Sequence, residues 1–364
     1  MPGMAIDQNV DAGGRAESAP ASDGRDSRPA ARVTISARFL LGIYAIVPLC
    51  LIAMVLDRLF FAESLFRALP TSPESFFYFQ LVFGTPHIIA SAVILAANTD
   101  YLRAFWLRLV LFTILLLMFF GIGSLYIPYE SFLAIVGAVT VLHVIKQQVG
   151  IGKGLCRRAG WVYDAWGWTM VVFGSILYYA VYTSHDLSGL TAAWIHGTLW
   201  TLAALVLALT LVCHPRIPTS MGRLYLWANA VMVLQSGLFY KQGYLFLAIL
   251  GPRLVHDLTA FTFYVAHDVN RHGAQPQNLL YRLASKLGLG IFWVCPAIAV
   301  LLTYLIDRFA DPVAQLVVTP VLGYNLPYAA SFLIVGYLGM LHYYTEAFTW
   351  RQGSPYRQHV ALSS

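Results

Sequence analysis

Apolar residues fall along this chain in long, nearly uninterrupted stretches separated by short polar ones, and the stretches have the length of helices rather than strands. Ten are of about 18–25 residues, enough for a helix to cross the hydrocarbon core at 1.5 Å per residue. They lie near 39–56, 76–97, 105–126, 131–149, 165–183, 192–213, 223–240, 244–270, 287–306 and 326–348. The pattern predicts an all-α fold, a polytopic membrane bundle spanning 37–350 in which backbone polar groups are satisfied inside each helix. Gly251-Pro252 predicts a kink or break in the eighth segment. No internal repeat, phosphate-binding glycine loop or soluble domain is visible.

Charge orients the bundle. Basic residues collect at every second connection: Arg103 and Arg108, then Lys153, Arg157 and Arg158, then Arg216 and Arg223, then Arg271, Arg282 and Lys286, and last Arg351 and Arg357. The opposite connections hold only Arg58, Arg67, Lys241 and Arg308, among acids. By the positive-inside rule both termini are expected in the cytoplasm, in a bacterial-type inner membrane. Residues 1–36, rich in Ala, Gly, Asp, Ser and Arg, are expected as a disordered cytoplasmic tail, and 351–364 as a second tail. No cleavable signal sequence is expected in the first of these.

Composition agrees with the pattern. Of 364 residues, 59% are apolar and 11% charged, less than half the charge usual in soluble domains. The net charge of +6 does not argue for nucleic acid, because the basic residues sit at helix ends and in tails rather than in one patch. Cys50, Cys156, Cys213 and Cys295 show no CxxC spacing, so neither a disulfide framework nor a thiolate metal site is expected.

Against this background the polar residues inside the spans carry the chemistry, since an ionisable group at bilayer depth is costly unless it serves a site. The eighth segment holds His-Asp twice, at His256-Asp257 and His267-Asp268. Eleven residues are close to three whole turns, so both pairs share one face about 16 Å apart along the axis. His87, His143 and His342 lie in the second, fourth and tenth segments, with Glu346 one turn beyond His342. Counted from the nearest cytoplasmic charge, His87, His143, His256 and His342 lie at depths of roughly 20, 15, 22 and 13 Å. Four helices descending in the same direction thus carry imidazoles to one zone of the bundle.

Imidazole with some carboxylate suits iron, zinc, copper or manganese. The expected centre is non-haem iron, one or two ions, with His87, His143, His256, His267, His342 and Asp268 as candidate ligands. Asp257, Glu346 and Tyr264 are candidate catalytic groups, able to supply charge or take a proton, and Gln147, Tyr343 and Tyr344 are candidates to orient ring N–H groups. The expected activity is a metal-dependent membrane oxidoreductase, an oxygenase or oxidase taking dioxygen and a lipophilic small molecule that arrives through membrane lipid. The sequence points to no electron donor and no nucleic-acid partner.

Two other readings use the same residues. Paired histidines such as His87 with His256, or His143 with His342, could ligate haem b. A proton-coupled transporter would use the buried His and Asp residues as a relay. Bland roles are expected elsewhere: His185, His214, His272 and His359 as surface histidines, Arg253 with Asp257 as an i,i+4 ion pair, Glu346 and Asp268 open to pairing with Arg351 and Arg271, and Trp350–Arg357 as an interfacial clamp.

Pro86-His87 in an apolar helix, followed by Phe261-Thr-Phe-Tyr-Val-Ala-His267 with a basic residue and then His272, resembles the bacterial Brp/Blh carotene-cleaving dioxygenases. Those are polytopic, histidine-rich, iron-dependent enzymes that cleave carotene to retinal. The resemblance covers about a tenth of the chain and implies iron ligation by His87 and His267. It departs at Pro86-His87-Ile88, where a Pro-His-Gly with a following acid is expected, and in the five-residue step from His267 to His272, where four is expected. The tandem HxxHH boxes of fatty-acid desaturases and alkane hydroxylases do not occur.

Overall fold

The computed structural model describes residues 33–70, 84–123, 126–156, 160–184, 186–273, 275–323, 329–351 and 353–363. These form an all-α bundle with one small strand pair. In chain order the elements are β1 (Thr34–Ser36), α1 (Ala37–Ile43), α2 (Ile46–Phe60), α3 (Ser64–Ala68), α4 (Thr85–Ala97), α5 (Thr99–Leu117) ending in a π-helical turn, α6 (Tyr129–Cys156), α7 (Trp161–Tyr182), α8 (Gly189–Cys213), α9 (Ser220–Lys241), α10 (Leu245–His272), α11 (Leu279–Lys286), α12 (Ile291–Leu322), α13 (Ala329–Thr349) and β2 (Ala361–Ser363). Most of the described part of each of the ten predicted segments is helical; the segment 39–56 is divided at Tyr44-Ala45, and 287–306 becomes helical only from Ile291. Among the described residues, six helical stretches are long and apolar enough to cross a membrane: 37–60, 99–120, 134–156, 189–216, 245–272 and 291–316.

The bundle is built around α10. Its apolar stretch is 56% buried, against 11% for the stretch that includes α5. It packs on α2, α4, α6, α9 and α12. A helix enclosed on most sides can carry charge that a lipid-facing helix cannot, because each polar group can find a protein partner. The outer helices show the converse: Leu107, Leu111, Leu115 and Leu117 of α5 and Leu205, Leu207 and Leu211 of α8 are exposed on the protein surface, as expected where lipid supplies the neighbours.

One local expectation changes in part. α10 runs as one helix through Pro252, so of the expected kink or break the break does not occur. In α4, Pro86 lies in the first turn from Thr85, where a missing N–H costs no intrahelical hydrogen bond. Residues 71–83, which include the start of the predicted second span, lie outside the described residues.

Parts of both predicted tails are structured. Thr34–Ser36 pairs in parallel with Ala361–Ser363. Asn270, near the end of α10, fastens the pair: its Oδ1 accepts from Val33 N at 2.7 Å, and its Nδ2 donates to the carbonyls of Val33 and His359, both at 2.9 Å. The tail boundaries expected at 36 and 351 therefore fall within folded chain. Residues 1–32 lie outside the described residues.

Candidate metal centre

Four helices bring one imidazole each to a common point. His87 comes from α4, His143 from α6, His256 from α10 and His342 from α13. Their ring centroids form a closed quadrilateral, with sides of 5.0 Å between His87 and His256, 4.9 Å between His256 and His143, 4.7 Å between His143 and His342, and 4.9 Å between His342 and His87. The scaffold repeats that order, since α4 packs on α10, α10 on α6, α6 on α13 and α13 on α4. Successive rings stand at 68–88° to one another, edge to face.

All four side chains are buried, His143 being the most open at 7%. The Nε2 atoms of His87 and His256 are 3.3 Å apart. Nδ1 of His87, Nε2 of His143, Nδ1 of His256 and both nitrogens of His342 have no hydrogen-bond partner in the protein. Buried polar atoms without partners are rare and costly; an ion at the centre would engage His87 and His256 through the Nε2 atoms that meet there, and could satisfy His143 Nε2 and one nitrogen of His342, while Nδ1 of His87 faces Asp257. Two overlapping ligand sets suit this: His87, His256 and His342, and His143, His342 and Glu346, each offering atoms within 4.8 Å of one another. His342 belongs to both sets.

The acids support the rings. Asp257 Oδ1 lies 3.1 Å from Nδ1 of His87, close but not aligned as a hydrogen bond, and 3.5 Å from Nε of Arg253. Asp257 thus faces the back of a ring whose Nε2 points to the centre, the place of an orienting carboxylate. Glu346 Oε2 lies 3.6 Å from Nε2 of His143 and accepts from Gln147 Nε2 at 3.2 Å, while Oε1 accepts from the Tyr264 hydroxyl at 2.5 Å. Tyr343 stacks on His143 with centroids 4.6 Å apart. Tyr344 stacks on Phe112 instead. Glu346 therefore faces the histidines, and Arg351 turns back to the carbonyl of Ala347.

His267 and Asp268 are not brought to this point. They sit three turns further along α10, in a second cluster where the polar atoms of His267 and Asp268 are all paired, while Arg271 Nε, His272 Nε2 and the Tyr356 hydroxyl beside them have no hydrogen-bond partner among the described residues. His267 Nε2 lies 2.7 Å from the Tyr101 hydroxyl and Nδ1 lies 2.9 Å from Asp268 Oδ1; Asp268 Oδ2 accepts from Tyr281. Arg271 donates to Tyr101 at 2.7 Å and to Asp100 at 2.8 Å rather than to Asp268. Tyr356 stacks on the His267 ring at 4.4 Å. Among the described residues, neither His267 nor Asp268 belongs to a group of three or more potential ligands. Burial pushes the Tyr281 phenol above its ordinary range, which keeps it a donor.

Other expectations also change here. His272 is fully buried and stacks on Tyr281 at 4.0 Å, so it is not a surface histidine. His359 is half-buried against the edge of His267, and His185 lies outside the described residues. Trp350 packs on Phe263 at 4.5 Å, so the segment expected as an interfacial clamp folds over the end of α10.

Sequence reasoning missed Tyr101, Tyr281 and Asn270, and the place of Arg253. The Arg253 guanidinium lies so close to α4 that a Cβ on Gly84 would stand 1.8 Å from Nη2. Phe83-Gly84-Thr85-Pro86-His87 carries the signal, a residue without a side chain one turn before a candidate ligand. Comparison with family models, curated proteins and solved structures finds no match.

Proposed function

We propose that this protein is a multi-pass membrane oxidoreductase built on a non-haem metal centre, most consistent with iron, that activates dioxygen beside a lipophilic substrate. The observation that carries this reading is the closed ring of four buried imidazoles with nitrogens lacking partners. Together with Glu346 it supplies the imidazole-rich, thiolate-free donor set suited to such an ion. We place the bundle in a bacterial-type cytoplasmic membrane with ten crossings and both termini inside, on the alternation of basic connections.

In this reading His87, His256 and His342 hold one ion, and His143, His342 and Glu346 offer a second position or an alternative one. Bound there, the metal supplies open positions and redox chemistry for oxygen. The chain's own groups do the rest. Asp257 fixes the orientation of His87, Tyr264 and Gln147 hold Glu346, and the Tyr264 to Glu346 hydrogen bond provides a proton at the carboxylate. The apolar walls exclude water.

The haem alternative is less well supported, because imidazoles whose centroids close on one another at 4.7–5.0 Å leave no slot for a tetrapyrrole between opposed pairs. A proton relay is less well supported too, since the four rings gather at one point rather than being strung along the bundle. Elemental analysis and absorbance of the purified full chain test the reading. One or two equivalents of iron with no Soret band is the expected result. Metal-free protein that cannot be loaded with iron under anaerobic conditions would overturn it.

A further inference from the structure

An apolar pocket lies beside α10 one to two turns before His256, between α6, α7, α9 and α10. Counting the space of its open mouth, it holds about 590 Å³ not filled by protein atoms. Val141, Val144, Phe173, Leu177, Val233 and Ile249 give it a wall suited to a hydrocarbon. Arg253 is the only charged residue among its lining residues. It is 4% exposed, and its guanidinium reaches from the pocket to Gly84 on α4, one turn from His87. Arg253 therefore stands between the pocket and the histidines.

That arginine is matched in part. Tyr343 hydrogen-bonds its side chain, while Asp257 approaches its Nε at 3.5 Å without a hydrogen bond, and both Asp257 oxygens also lack one. Charge at the site is unbalanced as well. With one divalent ion bound, the ion and Arg253 bring three positive charges against the two carboxylates of Asp257 and Glu346, leaving one for a ligand to meet, and a second ion would leave more. An uncompensated charge is costly in a buried setting, and a guanidinium matches the planar fork of a carboxylate.

We propose that the pocket takes a long-chain monocarboxylate, its hydrocarbon along the apolar wall and its carboxylate on Arg253, which holds the carboxyl end toward the four histidines. This names the substrate class of the metal centre and rests on that reading for its charge balance. Arg253 acts here as a specificity-determining residue and not as a metal ligand.

The test uses the full chain in phosphatidylcholine nanodiscs, with iron measured on every sample and empty discs as background. Binding of radiolabelled palmitate is compared with that of methyl palmitate. Palmitate is expected to bind saturably and at least about tenfold more tightly than its ester. Arg253→Met is expected to lose about 30-fold or more of the palmitate affinity while leaving ester binding in place, and Arg253→Lys to recover part of it. Equal binding of acid and ester by the natural chain, or unchanged palmitate binding in Arg253→Met, overturns the proposal. Should Arg253→Met not fold, Val144→Phe serves: it fills the pocket away from the charge and is expected to weaken both ligands, and unaltered palmitate binding would place the acid elsewhere and overturn the assignment. Iron present without the acid-over-ester preference sinks the carboxylate alone. The preference intact in protein that cannot hold iron sinks the metal centre alone.

Discussion

The same dipeptide occurs twice on α10, and its two copies have opposite surroundings. His256-Asp257 faces three other imidazoles, and five ring nitrogens of the four-histidine group, with both oxygens of Asp257, have no hydrogen-bond partner. His267-Asp268, three turns on, is saturated by Tyr101, Tyr281 and each other. Burial is nearly the same at both, so burial alone does not mark a site. What separates them is whether the protein itself completes the valences of the buried polar atoms: a closed network is structural cement, and an open one waits for something the chain does not provide.

That contrast can be broken by substitution. His342 belongs to both ligand sets, so His342→Ala is expected to remove all bound iron, and His87→Ala to remove at least one equivalent; full metal content in both, by elemental analysis of folded protein in detergent, would refute the open cluster as a metal site. Asp257→Asn alters only the group behind His87, and a 10–100-fold weaker apparent metal affinity is expected from competition with a chelator. In the closed cluster the sign reverses. His267→Ala is expected to leave iron content unchanged while thermal unfolding shows a loss of about 1–3 kcal/mol for each buried atom that loses its partner, the Tyr101 hydroxyl hydrogen and Asp268 Oδ1; iron lost in proportion to His267 would return that residue to the ligand set. The smallest effect is expected for Asn270→Ala, which removes the bonds to Val33 and His359. About 1–2 kcal/mol and earlier proteolysis of the terminal strands should result, with metal untouched.

The helices were legible in the chain because a bilayer demands long apolar runs, and such runs are visible without knowing their neighbours. Depth was legible for the same reason: a fixed rise per residue converts sequence position into height, which sent His87, His143, His256 and His342 to one zone. Height is only one coordinate. His267 carries the same dipeptide signal as His256, and nothing in the local sequence reveals that Tyr101 from α5 and Tyr281 from α11 close around it. The Gly251-Pro252 signal likewise could not say whether the chain would break or carry the proline inside one helix, and α10 is continuous there.

Sequence alone determined the class of fold, the ten apolar segments and which helices bear imidazoles, because these follow from hydrophobicity and periodicity along one dimension. Tertiary structure decided which imidazoles meet, which acids back them, and that Arg253 lies between an apolar pocket and the ring, because those depend on how helices rotate and pack against one another. Rotation about a helix axis is set by contacts between residues far apart in the chain, such as Gly84 against Arg253, and such contacts exist only once the helices are assembled.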